Sequence, residues 1–204
     1  MNFGFLGAFI LFTLIISYNL KKQARRNRRN EQDFWTRENQ ANSVRRKPLD
    51  NLIYIRIPLE QFPTHLLNDN STVLECIATL ETLAAQKIVN LTGWSNTDLK
   101  LEYGTANITV LSEYDQNYTL LVRTLQKWAD ELINAGYEKE ASTIMEFAVS
   151  TNTDVSNTYY RLADYWISHG ESFQVERLIH TAEGLRSSNR NAIVRHLKEK
   201  RGLT

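Results

Sequence analysis

The sequence predicts an all-α protein: an N-terminal transmembrane helix followed by an antiparallel helical-repeat domain of the α-solenoid kind. Three observations predict it. The first twenty residues hold no charged side chain; residues 21–29 (KKQARRNRR) hold six positive charges and no negative one; and beyond residue 120 a pattern of small and bulky residues recurs with a fixed step. The first two describe a membrane address, and the third describes stacked helix pairs.

Residues 3–20 (FGFLGAFILFTLIISYNL) form an apolar run that a helix would extend to about 27 Å, close to a bilayer's hydrocarbon thickness. Basic residues follow the run instead of preceding it, and Ser17-Tyr18-Asn19 fits a cleavage site poorly, so residues 1–20 read as an uncleaved anchor. The basic collar places the N-terminus outside and the C-terminal domain in the cytoplasm, which predicts a single-pass protein of the cell membrane. Residues 21–47 hold ten Lys or Arg against three acids, and residues 48–204 hold fourteen against twenty. Lys21, Lys22, Arg25, Arg26, Arg28 and Arg29 are therefore expected to meet anionic lipid headgroups. Gly4 and Ala8, spaced as small residues of packed membrane helices, make a homo-oligomer conceivable.

Residues 21–47 are expected to form a basic juxtamembrane helix or stalk that ends before Pro48. Residues 48–70 read as an extended strap, because Leu52, Ile53, Tyr54, Ile55 and Ile57 are largely β-branched or aromatic and prolines bound the segment; Tyr54, Ile55 and Ile57 are expected to be buried. A helix is expected over 72–91, with Thr72 and Glu75 as its capping box and Gly93 as its stop. A short helix is expected from Asp98 to Tyr103, halted at Gly104. Cys76, in step with Val73, Ile77 and Leu80, reads as a small core residue, and one cysteine allows no internal disulfide. The sequons at Asn70, Asn90, Asn107 and Asn117 carry no meaning on the cytoplasmic side.

Subtracting positions, Gly170 minus Gly136 gives 34, and the same step carries Ala129 to Ala163, Ala148 to Ala182, Leu132 to Trp166, Leu125 to Tyr159, Trp128 to Leu162 and Met145 to Ile179. Small residues repeat as small and bulky as bulky, because paired helices approach closely only where Ala or Gly faces a large knob. These residues resemble the tetratricopeptide repeat family. Ala129 and Ala163 match its small position in the first helix, Gly136 and Gly170 its turn, and Ala141, Ala148, Val175 and Ala182 its small positions in the second. Two degenerate units are expected at 122–155 and 156–189 in a helical domain of 71–204, with a capping helix over 190–201. The strings FWTREN, LDNLIYIRIPLEQFP, SNTDLKLEYG and YDQNYTLL are also similar to those of small membrane-anchored proteins of clostridia, a likeness that implies a bacterial membrane and no activity.

The repeat resemblance implies a groove that binds a protein or peptide, lined by Arg123, Gln126, Asp130, Asn157, Tyr160, Arg161 and Asp164. Catalysis is not expected. Asp130 with Glu131 and Glu138 with Glu140 point apart on a helix, and no phosphate loop, Gly-x-Ser-x-Gly turn, His-Glu-x-x-His or Cys-x-x-Cys string occurs. His65, His169, His180 and His196 lack ligand spacing, so no metal and no cofactor is expected. Nucleic acid is not an expected partner, since the basic run does not continue into the acidic domain. The expected function is a membrane-tethered scaffold that recruits a cytoplasmic protein or peptide. The alternative is a sensor of anionic lipid surfaces acting through residues 21–29.

Overall fold

The computed structural model describes residues 3–202, with the side chains of residues 3–11 and 14 outside the described set. Eight α-helices and two short 3₁₀ turns occur among the described residues, and no strand. The helices are α1 (Phe3–Ser43), α2 (Ser71–Ala84), α3 (Asn96–Tyr103), α4 (Ile108–Asn134), α5 (Glu138–Ser150), α6 (Ser156–Ser168), α7 (Gln174–Glu183) and α8 (Arg190–Gly202). They fall into two compact units, Met1–Lys47 with Ser95–Ile108, and Pro48–Trp94 with Thr109–Thr204.

The anchor expected at residues 1–20 is corrected. Among the described residues no helix is long and apolar enough to cross a membrane. Among the described side chains of α1, Phe12, Ile15, Ile16, Tyr18 and Leu20 are exposed, and Lys21 begins a charged stretch of the same helix. The integral, single-pass membrane partnership and the cell-membrane placement, with the N-terminus outside and the C-terminal domain cytoplasmic, fall with the anchor. The expected packing of Gly4 and Ala8 falls on side chains outside the described set.

In the first unit, α1 continues unbroken to Ser43 through the stretch expected as a juxtamembrane helix or stalk. Its C-terminal end packs on α3. Ala41 is fully buried there, while Phe34 and Trp35 stay exposed and lean edge to face on each other. Glu38 ties the two helices, accepting from Thr97 Oγ1 at 2.7 Å and pairing with Lys100, and these bonds hold its carboxyl below the usual glutamate range. Ser95 and Asp98 form a reciprocal capping box at the start of α3. Gly104 ends α3 at φ +87°, where an added Cβ would collide with the Arg45 carbonyl. Asn107, fully buried, accepts from Arg46 Nε at 3.0 Å and donates to the carbonyls of Lys47 and Tyr103 at 2.8 and 2.7 Å.

In the second unit, the strap passes from Leu52 to Phe62. Leu52 and Phe62 are its buried side chains; Tyr54, Ile55 and Ile57 are only half-buried, against expectation. The strap is joined to the region after α2 where Ile55 N–H donates to Ile88 O at 2.9 Å. The helix expected over 72–91 ends at Ala84, because Ile88, Val89 and Leu91 reach the core from extended chain, where Val89 N–H donates to Tyr114 O. Its cap is Asn70, whose side chain accepts from the Thr72 and Val73 amides, and not the Thr72–Glu75 box.

The residues of the 34-step comparison share one core. Ala129, Ala163, Ala141, Val175 and Ala182 are fully buried, as are Leu132, Leu125, Tyr159, Trp128 and Leu162. Gly136 and Gly170 sit at φ +85° and +77° in turns short enough to return the chain antiparallel. Phe62 meets Trp128 and Phe147 edge to face at 5.8 and 5.4 Å, so the strap closes one side of the first helix pair. Helix α8 packs on α6 and α7 and buries Ile193 and Leu197.

Candidate partner-binding groove

The seven residues expected to line a groove divide into three groups. Gln126, Asp130 and Asn157 join α4 to α6. Gln126 Nε2 donates to Asp130 Oδ1 at 3.0 Å, Thr158 Oγ1 donates to Gln126 Oε1 at 2.6 Å, and Asn157 Nδ2 lies 3.4 Å from Asp130 Oδ1. This amide–carboxylate network belongs to the helix packing as much as to any surface. Tyr160 and Asp164 are met by α8: the Tyr160 ring lies 3.9 Å from the His196 ring, centroid to centroid, and Asp164 pairs with Lys200.

Arg123 and Arg161 form the third group. Both are exposed, and among the described residues neither has a hydrogen-bond or ion-pair partner. Arg161 stands over a cleft of 240 Å³ whose floor includes Ile133 and Met145 and whose rim includes Glu138, Asp164, Tyr165 and Ser168. The cleft lies where the end of α4, the start of α5 and the end of α6 converge. Sequence reasoning named Arg161 and Asp164 for it and missed Glu138, Tyr165 and Ser168, which reach it through the turn geometry and not through the repeat register.

A second cleft, of 520 Å³, opens on the other side of the repeats between α5 and α7, over Trp166 and Leu162. Glu146 lines it. The residue is exposed overall, yet desolvation of its carboxyl outweighs the Arg177 charge and raises it above the usual range. Inside the core, burial pushes the Tyr118 phenol up to about 12, with its hydroxyl donating to Thr151 O at 3.1 Å. No group of three or more His, Cys, Asp or Glu able to hold a metal occurs among the described residues.

The six basic residues expected to meet lipid, Lys21, Lys22, Arg25, Arg26, Arg28 and Arg29, are all exposed on α1. At 100° per residue they fall within an arc of about 160°, with Gln23, Ala24, Asn27 and Asn30 opposite. The turn of α1 that meets α3, marked by Ala41 and Glu38, projects to the other side of the helix.

No known protein family, no curated protein and no solved structure matches the chain.

Proposed function

We propose that this protein is a helical-repeat scaffold that binds a protein or peptide on the face formed by the first helices of its repeats. The observation that carries this reading is the pair of unengaged guanidiniums, Arg123 and Arg161, on a face where Gln126, Asp130, Asn157 and Asp164 are already bonded. A charged group left without a partner beside an apolar-floored cleft has affinity to spare for an incoming chain, whereas a satisfied network has little. The resemblance to tetratricopeptide repeats supports the same reading. The test is capture with the full chain carrying Arg123→Glu and Arg161→Glu. Partners retained by the parent chain should be lost from the variant while its far-UV circular dichroism stays the same; an unchanged set of partners rejects the groove.

The one-sided cationic face of α1 favours a second reading, a protein that senses anionic lipid surfaces from the outside. Six charges on one arc with uncharged residues opposite suit a helix lying along a headgroup layer. Co-sedimentation with vesicles of phosphatidylcholine and phosphatidylserine should then fall steeply as salt rises. Replacing Lys21, Lys22, Arg25 and Arg28 with Gln should abolish it; binding that ignores both salt and these substitutions rejects the reading.

A further inference from the structure

The charges around the 520 Å³ cleft between α5 and α7 do not balance. Two carboxylates, Glu146 and Glu171, line it against one guanidinium, Arg177. Among the described residues neither carboxylate forms an ion pair, and Arg177 Nη1 already donates to Gln174 Oε1 at 2.9 Å. The state of Glu146 reflects the same imbalance. Desolvation raises its carboxyl by more than the Arg177 charge lowers it, Glu171 raises it further, and a hydrogen bond from the Trp166 indole offsets less than any of these. A cation that carries its own apolar surface would supply the missing charge without bringing water back.

Beneath the charges the cleft is apolar. Leu162 and Trp166 of α6 and Leu178 of α7 are buried side chains that line it, so an apolar body gains from covering them. The volume lies within the range of about 300–1,000 Å³ that small-molecule sites occupy. The remaining polar side chains of the wall are turned to their own helices. Ser150 Oγ donates to Phe147 O at 2.7 Å, Thr181 Oγ1 donates to Arg177 O at 3.0 Å, and Gln174 holds Arg177. They leave little to satisfy the backbone amides that a peptide would bring, whereas a free amine needs only a carboxylate and an apolar floor.

We propose that this cleft binds a small organic cation, a primary ammonium on an aromatic or aliphatic body, with the ammonium between Glu146 and Glu171 and the body on Leu162, Trp166 and Leu178. The site lies apart from the first-helix face and stands independently of the scaffold reading. The two parts of the ligand have separate tasks. The charge selects against neutral and anionic molecules of the same shape, and the apolar body supplies affinity that a bare ammonium, strongly hydrated in water, lacks.

The experiment uses the full chain labelled with nitrogen-15 and follows the indole N–H signals of its four tryptophans, with that of Trp166 assigned by its disappearance in Trp166→Phe. 2-Phenylethylamine should shift the Trp166 signal saturably, with a Kd on the order of 1 mM, as befits so small a ligand. 2-Phenylethanol, which has the same shape and no charge, should bind about tenfold more weakly. 3-Phenylpropionate and methylammonium should leave the signal unmoved. Glu146→Gln with Glu171→Gln should abolish the preference for the amine over the alcohol while the thermal transition is retained, since replacing a desolvated carboxylate by an amide relieves the fold of a charge. Equal affinity for amine and alcohol in the parent chain overturns the proposal. So does a preference for the amine that survives the double substitution, or a Trp166 signal that the amine leaves in place at about ten times that Kd.

Discussion

Asn107 shows how much one side chain can fix. It is fully buried, and its amide spends both donors and its acceptor on three separate groups, Tyr103 O, Lys47 O and Arg46 Nε. Those groups belong to the chain leaving α1 and the chain leaving α3, so the residue holds two loop segments of the first unit in register. An alanine there would take the amide donor from the Lys47 carbonyl and leave the Tyr103 carbonyl with the Lys47 N–H alone. Removing one partner of a buried hydrogen bond costs about 1–3 kcal/mol, more than the bond itself contributes on balance. Asn107→Ala is expected to destabilise by about that amount in urea unfolding, and Asn107→Asp by no less, since it removes both donors and introduces a charge. A loss below about 0.5 kcal/mol would mean that the network relaxes around the missing amide. The same residue opens a sequon, Asn-Ile-Thr, which as a string says nothing of this role; the bonds join positions about sixty residues apart, and only the fold brings them together.

Among the elements, glycine turns divide into two kinds that the sequence does not distinguish. Gly136 and Gly170 adopt positive φ with nothing within 4 Å of an added Cβ, whereas at Gly104 the added atom would strike the Arg45 backbone. An alanine at Gly170 meets only the cost of the left-handed conformation, about 1 kcal/mol. At Gly104 the same cost is joined by a clash with a carbonyl that cannot rotate away. Gly104→Ala should therefore lower the urea midpoint several times as much as Gly170→Ala, and equal shifts would show that residues 45–46 move aside. What could be read in advance follows the same division. The helices built on a local 3.6-residue stripe or on the 34-residue step are legible, since Ala129, Ala163 and Trp128 carry their packing in their spacing. The end of α2 is not, because Ile88 and Leu91 keep helical spacing while their backbone bonds go to the strap and to Asp115. Within the groove, residue types and positions are legible, yet which charges remain available depends on partners from α8, thirty residues or more away. The reading of the N-terminal run is corrected on other ground: among the described residues no helix is long and apolar enough to cross a membrane.

At the scale of the molecule, a row of stacked helix pairs faces the problem of its ends, because a bare end exposes core. The second unit solves it with unlike parts. Its N-terminal end is covered by α2 and by the strap, where Phe62 lies against Trp128 and Asn70 donates to Glu131 Oε2 at 2.9 Å. Its C-terminal end is covered by α8, which turns Ile193 and Leu197 inward and Asn191, Arg195 and Glu199 outward. Charge pairs Lys198–Glu183 and Arg201–Glu176 fasten it to α7, but they are exposed and contribute little beside the burial of two aliphatic side chains. Full burial of each side chain stabilises by roughly 1.5–3 kcal/mol, so α8 supplies a sizeable part of a domain's usual 5–15 kcal/mol. Leu197→Ala should cost about 2–5 kcal/mol, while Glu199→Ala on the opposite face should fall within about 0.5 kcal/mol of the parent. Ending the chain after Asn189 should do more than subtract: with Leu178, Ile179 and Ala182 of α7 uncovered, the truncated protein should lose its cooperative thermal transition and bind a hydrophobic dye. A truncated chain that melts as sharply and as high as the parent would show that helices α4 to α7 stand without a cap, and that α8 is held in place for its outer surface alone.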